Sequence, residues 1–211
     1  MLAVLAGAPI AGCQMRPHEF NPVVKADADY DRWFIGTMKD EPFDVPLVDR
    51  RLMAEDLNRR TVAYAGGQRP GTIVVDIDER RLYLVQEDRQ AIRYGVGVGR
   101  QGFSWKGVAQ VGRKGKWPNW SPTGTMVRMR IASAGNRDAG LENPLGARAL
   151  YLYQGNRDTL FRIHGTTEPW SIGEQVSSGC IRMLNEDVVD LYERVPVGTT
   201  VLVRRNGAWR V

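Results

Sequence analysis

Residues 72–98 read TIVVDIDERRLYLVQEDRQAIRYGVGV. Thr72 to Ile77 forms a run rich in β-branched residues, and Asp78-Glu79-Arg80 turns it. Leu82 to Val85 is a second apolar run. Ile92, Tyr94, Val96 and Val98 then recur at period two, the pattern of a strand buried on one face. Three short strands joined by tight turns predict a β-rich fold. Ahead of them, Gly66-Gly67-Gln68-Arg69-Pro70-Gly71 is a strong break in the chain. Behind them, further strands are expected at Met126–Ile131, Leu150–Tyr153, Phe161–His164, Thr200–Val203 and Ala208–Val211.

One helix interrupts this pattern. Val188, Leu191, Tyr192 and Val195 fall at i, i+3, i+4 and i+7, one face of a helix. Asn185 is placed to cap it, Glu186 and Asp187 suit its first turn, and Pro196 and Gly198 end it. The predicted class is mainly β with one or more helices, and no internal repeat is visible. Residues 14–69 hold Pro17, Pro22, Pro42 and Pro46 among mixed charges and read as a linker or N-terminal extension. Within it, Arg50–Arg60 can form a short helix with Leu52, Met53 and Leu57 on one side.

The first thirteen residues, MLAVLAGAPIAGC, are uncharged and nearly all apolar. They are too short to span a bilayer and match the apolar region of a secretory signal. Ile10-Ala11-Gly12-Cys13 resembles a bacterial lipoprotein box, which makes Cys13 the expected lipidated residue. A disordered apolar end, or an ordinary signal with a coincidental cysteine, is the plainer alternative. No Lys or Arg precedes the apolar run.

The 211 residues carry 43% hydrophobic and 25% charged side chains, enough to build a core and unlike a disordered chain. The 23 glycines and 11 prolines favour turns. A net charge of +5 suits any anionic partner, but no basic helix or nucleic-acid motif accompanies it. The densest basic stretch, Arg113-Lys114-Gly115-Lys116, reads as a solvated loop. Gly97-Val98-Gly99-Arg100-Gln101-Gly102 matches the spacing of a dinucleotide fingerprint, yet Phe103-Ser104-Trp105-Lys106-Gly107 reads as loop where a helix must open. Two histidines, His18 and His164, and two cysteines, Cys13 and Cys180, show no zinc-ligand spacing, so no metal is expected.

Residues 164–183, HGTTEPWSIGEQVSSGCIRM, carry the chemistry. His164 ends an apolar strand, and Cys180 follows the small-residue turn Ser177-Ser178-Gly179 just before the helix. A thiol near an imidazole can pass on its proton and become a nucleophile. Gly179 lets the backbone bend so that amide N–H groups can face an oxyanion. The residues alone also permit a buried structural cysteine and an unrelated histidine.

This stretch resembles the signature of the L,D-transpeptidase catalytic domain, the YkuD family: a His-Gly, then Ser/Thr-x-Gly-Cys, an aliphatic residue and Arg. Here these are His164-Gly165 and Ser177-Ser178-Gly179-Cys180-Ile181-Arg182. Trp120-Ser121-Pro122-Thr123-Gly124-Thr125 and Asn143-Pro144-Leu145-Gly146 resemble accessory segments of the family, so the similarity covers roughly residues 70–204. Many members carry His where Ser178 stands. The resemblance implies a β-sandwich or barrel-like catalytic domain over 70–211, preceded by the signal (1–13) and the extension (14–69). It implies Cys180 as nucleophile and His164 as base, with the Gly165 carbonyl holding the other imidazole nitrogen. Gly179 and Ser178 belong to the oxyanion turn. Arg182 binds a substrate carboxylate or braces the loop, and Trp170 walls the cleft or packs in the core. The implied substrate is the peptide stem of peptidoglycan, outside the cytoplasmic membrane, with no cofactor and no nucleic acid. A carbapenem is expected to acylate the thiol. The acceptor stays open between an amine, water (an L,D-carboxypeptidase) and D-amino acids, as does a binding module without turnover.

Overall fold

The structure, a computed structural model, describes residues 29–99, 105–128, 135–177 and 179–205. In chain order the strands are β1 (Phe34–Met38), β2 (Val45–Val48), β3 (Arg60–Ala63), β4 (Ile73–Asp76), β5 (Arg81–Val85), β6 (Gln90–Gly95), β7 (Val98–Gly99), β8 (Gly107–Lys116), β9 (Arg148–Gln154), β10 (Arg157–His164), β11 (Gln175–Ser177), β12 (Ile181–Arg182) and β13 (Thr200–Arg204). Two α-helices accompany them, α1 (Gly124–Arg128) and α2 (Asn185–Arg194).

Nine strands share one sheet in the order β12-β10-β9-β8-β13-β4-β5-β6-β3. It is not closed into a barrel; β12 and β3 are its edges. One apolar cluster nevertheless joins its distant parts: Ile73, Leu82 and Tyr94 from one half pack with Leu150, Ile163 and Ile181 from the other, and Val188 and Leu191 of α2 complete it. The sheet thus folds over its own apolar face in a sandwich-like arrangement. The period-two pattern that predicted the strand at Ile92, Tyr94, Val96 and Val98 is the pattern of this buried face.

Several elements differ from the sequence reading. The segment expected to link is, from Tyr30 onward, packed onto the domain. β1 and β2 form a hairpin, β3 pairs with β6 as a sheet edge, and Trp33, Val48, Ile172 and Leu184 form a small core of their own. Arg50–Arg60 forms no α-helix. Two 3-10 turns, Arg50–Leu52 and Glu55–Leu57, flank extended Met53 and Ala54. The first is set by the Asp49 carboxylate, which accepts from the Arg51 N–H at 3.0 Å. The basic run 113–116 is not a loop but the end of β8. Its Lys114 ammonium donates to the carbonyls of Tyr192 and Val195 at 2.6 and 2.8 Å, at the C-terminal end of α2. Residues 126–128, expected to begin a strand, lie in α1 instead. The strand expected at 208–211 lies outside the described residues.

Candidate active site

Parallel pairing of β10 with β12 sets the site. Ile163 lies opposite Ile181, and His164 opposite Arg182. Both isoleucines face the core. Alternation therefore sends Arg162, His164, Arg182 and, one residue before Ile181, Cys180 to the other face. His164 and Cys180 thus stand on neighbouring chain segments, two residues apart along them and on the same face. The register at Cys180 follows a bulge. Between Asp158 and Arg162 the β9–β10 pairing slips, Leu160 adopts φ +64°, and its carbonyl lies 4.0 Å from the Cys180 sulfur. Bulges beside active sites re-aim side chains in this way. Gly179, at φ +127°, makes the approach turn in a conformation that L side chains rarely adopt.

His164 is buried, and its Nδ1 lies 2.6 Å from the Gly165 carbonyl. A carbonyl only accepts, so Nδ1 carries the proton and Nε2 keeps the lone pair. Burial first, then the Arg182 charge, pushes the imidazole pKa down to about 3. Burial likewise raises the Cys180 thiol, against the lowering influence of the Arg162 backbone N–H and of the Arg162 and Arg182 charges. Imidazole and thiol feel the same two guanidiniums, as their shared face requires. The resting pair is therefore neutral thiol and neutral imidazole, not thiolate and imidazolium.

Asn185 holds the frame. It was expected to cap α2, but no side-chain cap bond forms there. Its carboxamide reaches sideways instead. Oδ1 accepts from the Ala147 N–H at 3.0 Å, and Nδ2 donates to the Thr166 carbonyl at 2.9 Å. This ties the Asn143–Gly146 segment to the turn after His164. Gly146 and Gly165 are needed there, since a Cβ on either would come within 2.1 Å of Oδ1.

Of the other residues singled out, Arg182 meets Glu168 at 2.5 Å, and its backbone exchanges bonds with Gly97 at 2.9 and 2.8 Å. Those contacts brace the loop. Trp170 packs edge-on to Tyr30, with ring centroids 5.8 Å apart, and beside Trp33 at 6.1 Å, inside the small core of the N-terminal segment. Its indole N–H is buried and has no partner among the described residues. Ser178, Cys13 and His18 lie outside the described residues. Sequence reasoning missed Arg162 and Asp158, which pair in a fork at 2.7 and 2.9 Å beside Cys180. An i, i+4 pair on a strand belongs to opposite ends of a bulge, and no sequence signal marked that bulge. Among the described residues no three His, Cys, Asp or Glu side chains converge on a metal position.

Residues 70–203 match the L,D-transpeptidase catalytic domain known as YkuD. The chain belongs to this family. The Escherichia coli K12 protein named probable L,D-transpeptidase ErfK/SrfK is 37% identical over 141 residues, which cover 62% of this chain and 43% of that one. The match thus spans less than half of that L,D-transpeptidase relative. Among solved structures, L,D-transpeptidase 3 from Mycobacterium tuberculosis, in complex with a faropenem-derived adduct, overlays with a TM-score of 0.50 at 16% identity, covering 63% of this chain and 59% of that one. At that identity the overlay speaks for the shared L,D-transpeptidase fold alone. A Brucella melitensis chain named a probable carnitine operon oxidoreductase is 46% identical, covering 72% of this chain and 96% of that one, with a TM-score of 0.49. An overlay at that level carries no functional argument.

Proposed function

We propose that this chain is a cysteine L,D-transpeptidase acting on peptidoglycan stem peptides. The observation that carries the reading is the placement of Cys180 and His164 on one face of adjacent parallel strands, with Nδ1 of His164 committed to Gly165 and the Nε2 lone pair left available. Cys180 attacks the carbonyl of the diamino acid that precedes the terminal D-alanine. Because the resting pair is neutral, the proton passes from Sγ to Nε2 as the sulfur–carbon bond forms. The Arg162 backbone N–H and the Arg162 and Arg182 charges favour the thiolate as it develops. The turn at Gly179 and Ser178 is assigned to the oxyanion. His164 returns the proton to the departing D-alanine amine, leaving a thioester. An acceptor amine then attacks, His164 takes its proton, and a new amide forms as the thiol is regenerated.

The stem peptide lies outside the cytoplasmic membrane, so the reading places the protein in the cell envelope. The apolar stretch ending in Cys13 supports export and lipid attachment. Palmitate labelling lost in Cys13→Ala supports the anchor, and equal labelling overturns it.

The test of the enzyme is intact-mass analysis after incubation with a carbapenem and, separately, with a stem tetrapeptide. An acyl adduct on the native protein and none on Cys180→Ala is the expected result. A folded native protein that takes up neither reagent refutes the nucleophile. Released D-alanine, cross-linked dimer or trimmed tripeptide then identifies the acceptor.

A further inference from the structure

Cys180 is the end of a row that crosses the sheet. Arg113 of β8, Tyr151 of β9 and Arg162 of β10 are register partners on successive strands. Their shared face is the one opposite the core, since Leu150 and Leu152 on either side of Tyr151 belong to the core cluster. Tyr151 is 5% exposed because both guanidiniums cover its ring: Arg113 from one flanking strand, with Cζ 3.5 Å from the ring centre, and Arg162 from the other, at 4.4 Å. Strands lie about 4.8 Å apart, so the row carries positive charge from beside the nucleophile to the third strand away, roughly 14 Å from it.

The two cations are not equally occupied. Arg162 is spent on Asp158, which meets it through both oxygens. Arg113 is exposed, and among the described residues no carboxylate lies within ion-pair distance of it. Two guanidiniums on one ring share a single carboxylate, which leaves the row with one uncompensated positive charge. Stacking on the ring fixes the plane of the Arg113 guanidinium without using its N–H donors, and a planar fork so presented fits a carboxylate through two parallel bonds.

We propose that Arg113, laid on Tyr151, is a carboxylate-binding subsite for the acyl-donor peptide. Resting on the acyl-transfer reading, it takes a free carboxylate on the donor residue that precedes the one whose carbonyl Cys180 attacks. In a stem peptide the γ-linked glutamate next to the diamino acid offers such a group. Arg113 thereby selects donors that bear the carboxylate over those that bear a carboxamide.

Formation of the acyl-enzyme is to be followed by mass in single turnovers. Two tetrapeptide donors are compared, differing only in a carboxylate or a carboxamide on that glutamate. The native protein is expected to prefer the carboxylate donor by roughly tenfold or more, the size of one charge-assisted contact. Arg113→Gln loses that preference by reacting more slowly with the carboxylate donor alone, and Arg113→Lys retains part of it. Alkylation of Cys180 by iodoacetamide at an unchanged rate shows that the variants keep the site intact. If the native protein forms acyl-enzyme but Arg113→Gln keeps the preference, the subsite is refuted and the acyl-transfer reading stands. If only the acceptor step responds to Arg113→Gln, the assignment to the donor is refuted. If the native protein forms no acyl-enzyme with either peptide, both readings fall.

Discussion

Removing the Asn185 carboxamide tests whether the site is held by a side-chain bridge or by helix capping. In Asn185→Ala the Ala147 N–H and the Thr166 carbonyl, now bonded at 3.0 and 2.9 Å, both lose their partner in a buried place. Each orphaned group costs about 1–3 kcal/mol, so the expected loss is roughly 2–6 kcal/mol. For a chain of this size each kcal/mol lowers Tm by about 2–4 °C, and a central loss of ~4 kcal/mol gives a drop of roughly 8–16 °C. Acylation of Cys180 should slow as well, because the turn through Gly165 and Thr166 orients His164. The substitution series separates the two roles. Ser and Asp are good caps, so a capping role predicts that Asn185→Ser and Asn185→Asp retain full stability. In the bridge they fail. Asp can accept from Ala147 but cannot donate to Thr166, and Ser does not reach both. The assay is circular dichroism melting of the four proteins at neutral pH, with carbapenem acylation followed by mass. Full stability in Asn185→Asp, or an unchanged Tm in Asn185→Ala, refutes the bridge.

Three further outcomes are expected. Asp40→Ala strips Arg148, whose side chain is 3% exposed, of bonds at 2.7 and 3.0 Å, and strips Lys116 and Trp117 of theirs at 2.9 and 2.8 Å. An uncompensated buried charge costs about 3–5 kcal/mol, to be read from urea melts; a loss within error refutes the pin. His164 has a native pKa of about 3 against 6.5 unfolded, so the unfolded state takes up a proton that the native state refuses as pH falls below 6.5. Stability present above pH 6.5 is then lost toward pH 3, up to roughly 4–5 kcal/mol, and His164→Gln should flatten the slope of urea-derived stability between pH 6.5 and 4.5; equal slopes refute the assignment. Trp170→Phe keeps the ring contacts with Tyr30 and Trp33 and removes an indole N–H that has no described partner. It should change stability by less than about 1 kcal/mol and leave stem-peptide acylation unaltered, whereas a selective loss of peptide acylation would show that Trp170 lines the cleft.

What was legible in the sequence is what local periodicity records. β4, β5 and β6 alternate or run apolar because their side chains fill the main core and, through Val74, Val85 and Ala91, a smaller cluster as well, and α2 shows its face because Val188 and Leu191 meet the main core. The family was legible through motif resemblance, which singled out Cys180 and His164 but not their surroundings. Long-range contacts were not legible. Asp40 finds Arg148 across 108 positions, and Arg50 finds Asp187 across 137, so a stretch of prolines and mixed charge looked like a linker when it is packed structure. The run from Arg113 to Lys116 looked solvated because its partners are distant in sequence: Lys114 is met by helix carbonyls and Lys116 by Asp40, while Arg113 lies over the Tyr151 ring with its charge unpaired among the described residues. Lys and Arg stems cover apolar surface while their heads reach polar groups, and a count of charges does not see this. Asn185 was misread for a related reason: a residue suited to a cap suits any place where two backbone groups need one donor and one acceptor.

The neutral resting pair has a consequence for how this site reacts. A thiol with a raised pKa is seldom thiolate, and thiolate is the form that oxidants and stray electrophiles attack. On the proposed acyl-transfer reading, Cys180 beside a buried neutral His164 is thus quiet until an acyl group is bound, with the imidazole already in the tautomer that reading needs. The Arg162 and Arg182 charges, set before substrate arrives by Asp158 and Glu168, favour thiolate over thiol without protonating the imidazole. Their field therefore acts on the charge that develops during attack, which is where preorganised electrostatics lowers a barrier. Burial, which alone would make the pair inert, and the two guanidiniums, which alone would make the thiol indiscriminate, together suit the proposed role of a nucleophile whose reactivity depends on an electrophile correctly seated in the cleft.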